Sequence, residues 1–176
     1  MLQLPVTTCK TIGKRVILIY FCSTMGLEND IQQATFKTEQ QKALVNLIYT
    51  YHWSTEKLRA IFDNEDITMQ QFNILRILRG AGKPISTLQI RQRMLDKMSD
   101  TSRIVDRLIS KELVHKNICS TDKRLVDVNI TTKGKAVLKK LDAYETQMNG
   151  LLQNLSNDEM KTLNQLLDKI RVEKTG

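Results

Sequence analysis

Apolar residues recur at three- and four-residue steps along the first well-patterned stretch: Leu44, Leu47, Ile48, Tyr51, Leu58 and Phe62. That period predicts one long amphipathic helix from about Thr38 to Phe62, which the polar run Asp63–Asp66 ends. Thr68 followed by Gln71 is a capping box and opens a helix carrying Phe72, Leu75, Ile77 and Leu78; Gly80-Ala81-Gly82 stops it. After Pro84 and Ile85, Ser86 caps a short helix running to Met94 or Leu95. Asp96-Lys97-Met98 forms a tight connection, and Ser99 caps a further helix over residues 99–112 that carries Ile104, Val105, Leu108 and Ile109. Two short helices joined by a few residues and backed by a third make a helix-turn-helix.

Beyond Leu113 the period falls to two. Val114, Lys116 and Ile118 alternate, then Val126, Val128 and Ile130, around the polar segment Ser120–Arg124. This predicts a β-hairpin over 114–130, and a hairpin placed directly after a helix-turn-helix is a wing. Thr131 then caps a helix expected to run to about Leu155 with Val137, Leu141, Met148, Leu151 and Leu152 apolar. Ser156 with Glu159 opens a last helix bearing Met160, Leu163, Leu166, Leu167 and Ile170. The expected fold is mostly α with a small β-wing: a winged helix-turn-helix domain over 67–135, flanked by long helices over 38–66 and 136–176. The apolar rows of those flanking helices exceed what so small a domain can cover. They suit dimerisation, with packing into an intrachain bundle as the alternative.

Composition agrees with a helical, folded chain: 41% of the 176 residues are hydrophobic, with only 7 Gly and 2 Pro. The net charge of +8 is informative once localised. Between Thr68 and Lys135 there are 14 Lys or Arg against 6 Asp or Glu, and the remainder of the chain is neutral. All the excess positive charge therefore falls on the helix-turn-helix and its wing. Such a concentration suits a polyanion, because neutralising phosphates releases condensed counterions.

Cys9, Cys22 and Cys119 have no paired spacing, and His52 and His115 lie far apart, so neither a disulfide framework nor a metal set is expected. A reducing cytoplasm is the natural compartment. Lys10, Lys14 and Arg15 precede an apolar run, Val16–Cys22, that superficially resembles a secretion signal. The run is too short to span a bilayer and lacks a small-x-small cleavage site, so residues 1–25 are read as an extension expected to be disordered, with Met25 a candidate start. There is no G-x-S-x-G, phosphate-binding glycine loop or H-E-x-x-H. No catalysis, cofactor or membrane association is expected.

A recognition helix needs short polar and basic side chains in its N-terminal half, where they meet base edges in the major groove. Ser99, Asp100, Thr101, Ser102 and Arg103 supply that set, and Arg107 lies one turn on along the same face. On their own these residues fit equally a plain cap with arginines paired to Asp100 and Asp106. Asp100 would repel phosphate and is expected to cap or to accept from a base. Ser86, Thr87 and Gln89 begin the preceding helix, where they can bind phosphate or simply cap.

The segment from Asp122 to Gly134, DKRLVDVNITTKG, resembles the wing signature of the MarR family of transcription regulators, D-x-R followed by V-x-L-T-x-x-G, with Ile130 in place of Leu. Thr101–Leu108 is similar to that family's recognition helix, and the order of elements matches from Thr38 to about Glu173. The resemblance implies a ligand-responsive repressor that binds a palindromic duplex DNA site as a homodimer. It assigns Arg124 to the minor groove or a phosphate, Asp122 to holding it, and Lys123 to a phosphate. It also implies a small aromatic or anionic effector between the dimer helices and the DNA-binding lobe; Tyr49, His52 and Trp53 are candidates to line its pocket, with core packing the alternative. The family commonly has Gly where this chain has Glu112, and a left-handed Glu there would cost about 1 kcal/mol. The alternative function is a winged-helix protein-interaction module without DNA binding.

Overall fold

A computed structural model describes residues 26–118 and 126–172. The extension 1–25 and the wing-tip residues Asp122, Lys123 and Arg124 lie outside the described residues. The chain divides into two compact units, 1–48 and 49–176. The first contains α1 (Leu27–Asp30) and the opening turns of α2 (Glu39–Asp63). Lys42 pairs with Glu28 at 2.5 Å within it, while Leu44, Leu47 and Ile48 on α2 are exposed.

The second unit continues with the rest of α2, then α3 (Met69–Ala81), β1 (Ile85–Ser86), α4 (Thr87–Arg93) and α5 (Thr101–Ser110). Strands β2 (Val114–Ile118) and β3 (Val126–Ile130) follow, then α6 (Thr132–Asp142), α7 (Glu145–Asn149), a 3₁₀ turn (Gly150–Leu152) and α8 (Asn157–Ile170). Three of these starts are fixed by reciprocal capping boxes, Thr68 with Gln71, Ser86 with Gln89 and Ser156 with Glu159, each satisfying two backbone N–H groups that a helix end leaves free. Gly82, at φ 65°, ends α3 in the left-handed conformation.

The expected hairpin forms, with Val114 opposite Ile130 through Ile118 opposite Val126. Two features differ from the sequence expectation. Ile85 and Ser86 add a third antiparallel strand, pairing with Val128 and Asp127 to give the order β1-β3-β2. The helix expected from Thr131 to Leu155 is broken after Asp142, where Ala143 and Tyr144 donate to carbonyls only three residues back, and again at Gly150.

One core holds the second unit together. Phe62, Ile74, Leu75, Leu78, Ile90, Met94, Val105, Leu108, Val128, Leu138 and Leu141 are all buried in it, and the Phe62 and Phe72 rings stack at 4.8 Å. Each large side chain so buried contributes about 1.5–3 kcal/mol. Tyr51 on α2 and Leu163, Leu166 and Ile170 on α8 instead point large apolar groups into solvent.

The turn from α5 into the wing is left-handed at Glu112, φ 61°. Glu112 and Leu113 donate their N–H groups to the Ile109 and Leu108 carbonyls, closing the helix end as glycine commonly does. Lys133 lies 2.8 Å from the Glu112 carboxylate, and that hydrogen bond with its charge holds the carboxyl below its ordinary pKa. The pair is exposed and worth little to stability. Glu112→Gly is therefore expected to raise the unfolding free energy by about 0.5–1 kcal/mol, relief of strain exceeding the entropy that glycine adds to the unfolded chain. The urea midpoint is the measurement, and a lower midpoint in the variant would refute the strain.

Candidate nucleic-acid interface

The face that could meet DNA is built on α5. Its amphipathicity is sharp: Thr101, Val105 and Leu108 are buried against α3, α4 and β2, while Ser102, Arg103, Asp106, Arg107 and Ser110 are exposed. Burial of the inner row fixes the rotation of the helix, and so decides which side chains face outward.

The cap is Asp100 rather than Ser99. The Asp100 carboxylate accepts from the Arg103 N–H at 3.1 Å, whereas the Ser99 hydroxyl donates to the Asp96 carbonyl at 2.8 Å and finishes the preceding turn. Asp100 thus takes its expected capping role. Thr101, expected among the outward residues, is only 3% exposed and belongs to the inner row. Ser102, Arg103 and Arg107 remain as the outward set.

Arg103 stands 3.9 Å from Asp100, at the limit of an ion pair, with most of its side chain in solvent. Asp106 is taken by Lys116 of β2 at 2.6 Å, which ties the first wing strand to the reading helix. Arg107 makes no ion pair among the described residues. The carboxylates thus leave both guanidiniums accessible.

On α4 the oxygens of Ser86 and Gln89 are engaged in each other's caps, at 3.2 Å to the Gln89 N–H and 3.0 Å to the Ser86 N–H, which favours the structural role for both. Thr87 beside them is half-buried.

The hairpin is anchored where it returns. The Thr131 hydroxyl accepts from the Gly134 N–H at 3.0 Å and lies 2.8 Å and 3.0 Å from the Glu112 and Leu113 carbonyls, so one side chain caps α6 and stitches both ends of the wing together. Asp66, itself left-handed at φ 51°, accepts from the Lys111 ammonium through its carboxylate at 2.8 Å and through its carbonyl. Lys140 of α6 reaches the neighbouring Glu65 at 3.0 Å. The turn between α2 and α3 is therefore gripped from the end of α5 and from α6.

A cleft of about 560 Å³ lies between the second half of α2 and the start of α3, lined by His52, Arg59, Phe62, Asp63, Met69 and Gln70 among others. Of the three residues named for an effector pocket only His52 lines it. Tyr49 is half-buried and Trp53 exposed; neither lines the cleft, and neither belongs to the core that was the alternative.

A helix-turn-helix with a three-stranded wing and a basic, outward-facing reading helix defines the winged-helix class. Residues 67–126 match the model of the MarR family. The chain is 33% identical over 107 residues to the multiple antibiotic resistance protein MarR of Escherichia coli, covering 60% of this chain and 74% of that protein. It is 29% identical over 120 residues to the HTH-type transcriptional regulator TcaR of Staphylococcus aureus, covering 66% and 78%. A mutant E. coli MarR complexed with operator DNA superposes with a TM-score of 0.68 at 28% identity, over 84% of this chain and 100% of that one. A MarR transcription factor from Planctomyces limnophilus gives 0.59 at 31% identity, over 76% and 98%. The chain belongs to the MarR family of transcription regulators.

Proposed function

We propose that the protein is a homodimeric, cytoplasmic repressor that binds a palindromic duplex DNA site through α5 and the wing, and carries out no catalytic step. The observation that carries this is the outward row Ser102, Arg103 and Arg107, held in place by a buried inner row and left accessible, with only the 3.9 Å pair to Asp100 on Arg103. Two-fold symmetry of the protein implies two-fold symmetry of the site, with half-sites one helical turn apart. The exposed apolar residues of α2 and α8 support the pairing of two copies through the arms 38–66 and 136–176. Among the described residues no helix is long and apolar enough to cross a bilayer. Asp122, Lys123 and Arg124 retain their wing-tip roles on the strength of the motif alone. A small anionic or aromatic effector would enter beside His52 and Arg59, so this part of the reading passes from Tyr49 and Trp53 to the α2–α3 cleft.

Selection from a random duplex library at moderate salt tests the reading. The expected outcome is a two-fold motif with half-sites about 10 bp apart. Its affinity should fall steeply and linearly in log[salt], as phosphate contacts require. No enrichment even at low salt would favour the protein-docking module instead.

A further inference from the structure

Two large apolar side chains stand in water on the same side of the helix-turn-helix as the reading helix. Met98, in the turn before α5, is 93% exposed, and Leu88, in the first turn of α4, is 64% exposed. They are not scattered surface residues: both line one groove of about 460 Å³ between α4 and the start of α5. Arg91 and Ser102 line that groove as well, so hydrogen-bond donors sit beside the apolar pair.

In the major groove, thymine alone among the four bases presents an acceptor, O4, next to a methyl group at C5. Cytosine offers a donor and no methyl, and the purines offer no apolar group on that edge. A groove with a thioether and an isobutyl group next to a hydroxyl and a guanidinium offers a partner to both groups of the thymine edge, and the Asp100 carboxylate that also lines it is engaged in capping α5. It also gives both exposed side chains an apolar surface to cover. We infer that this groove reads thymine: Met98 and Leu88 enclose the C5 methyl while Ser102 or Arg91 donates to O4, which makes Met98 and Leu88 specificity-determining residues of the site. The inference rests on the DNA-binding reading above and adds a base preference that Arg103 and Arg107 do not supply.

The test uses the full-length protein and duplexes carrying its selected site. Each thymine in turn is replaced, in both half-sites, by deoxyuridine, which removes only the methyl group. One thymine position per half-site is expected to lose affinity about fourfold, hence about 15-fold for a symmetric dimer, the effect of one methyl withdrawn from apolar contact. Met98→Ala should bind the thymine and deoxyuridine duplexes alike, and Met98→Gln, which keeps the length of the side chain, should do the same. Met98 is almost wholly exposed, so neither change threatens the fold; circular dichroism of each variant confirms it. Sequence-specific, salt-dependent binding with no deoxyuridine penalty at any position overturns this inference and leaves the DNA-binding reading standing. A penalty that persists unchanged in both Met98 variants and in Leu88→Ala overturns it too. Absence of binding to any duplex overturns the underlying reading with it.

Discussion

Gly134→Ala is expected to lower the unfolding free energy by about 3 kcal/mol, at the upper end of what overpacking costs. A Cβ at this position would lie 2.2 Å from the Leu113 carbonyl oxygen, 3.2 Å from its carbon and 2.9 Å from Cγ1 of Ile130. Two of those atoms are backbone, so no side-chain rotation relieves the clash. Either α6 moves away from the wing or the chain between α5 and β2 shifts. Both movements pull on Thr131, whose hydroxyl joins the Glu112 and Leu113 carbonyls to the Gly134 N–H. The glycine closing the T-x-x-G of the wing motif thus has a physical cause: it is the point where a helix crosses the carbonyl just before β2 with no room for a side chain. Gly80 is the control, with nothing within 4 Å of an added Cβ and a helical conformation, so Gly80→Ala should stabilise by about 0.5–1 kcal/mol. Urea unfolding of the two variants reads both. Equal midpoints for Gly134→Ala and the wild type would mean that α6 is free to move off the wing.

The largest effect on function is expected at Arg103. Arg103→Ala should weaken binding to the selected site by about 1–3 kcal/mol per half-site and relax the base preference at one position, if its guanidinium grips a guanine edge in the major groove. Its backbone N–H is held by the Asp100 cap while its guanidinium is only loosely attended at 3.9 Å, so the side chain is aimed without being tied down. Arg103→Lys separates the two ways a cation can act. A lysine replaces a phosphate contact but not a bidentate fork, so specificity should be lost even where affinity is partly recovered. A uniform loss over all sequences, with a shallower salt dependence, would move Arg103 to the phosphate backbone.

Much of this was legible beforehand, and for a common reason. The capping boxes at Thr68, Ser86 and Ser156, the glycine stop at Gly82 and the hairpin all rest on residues within a few positions of each other, where sequence spacing equals spatial neighbourhood. The left-handed turn at Glu112 was visible as a departure from a motif. β1 was missed because a two-residue strand has no period of its own; its partner, β3, lies some forty positions downstream. The breaks after Asp142 and at Gly150 were missed because Leu141, Met148, Leu151 and Leu152 keep helical spacing across them. At Ser99 and Asp100, two adjacent residues could cap, and only the competing Asp96 carbonyl decides between them. The burial of Thr101 was legible too: with Val105 and Leu108 it falls at i, i+4 and i+7, the inner row, although its polarity masked its position.

The grip of Lys111 and Lys140 on Glu65 and Asp66 sets where the reading helix can pivot. Lys111 follows directly on the last turn of α5, so that end is fastened to the turn between α2 and α3, while the N-terminal end carries Ser102 and Arg103. Eight residues separate Lys111 from Arg103, a lever of about 12 Å along the helix. A tilt of about 10° at the fastened end therefore swings Arg103 through roughly 2 Å, given the helix rise of 1.5 Å per residue. Hydrogen bonds to a base edge tolerate only a few tenths of an ångström. Because Val105 and Leu108 lie on the same helix and are fully buried, the packing of that inner row is what holds Arg103 within this tolerance.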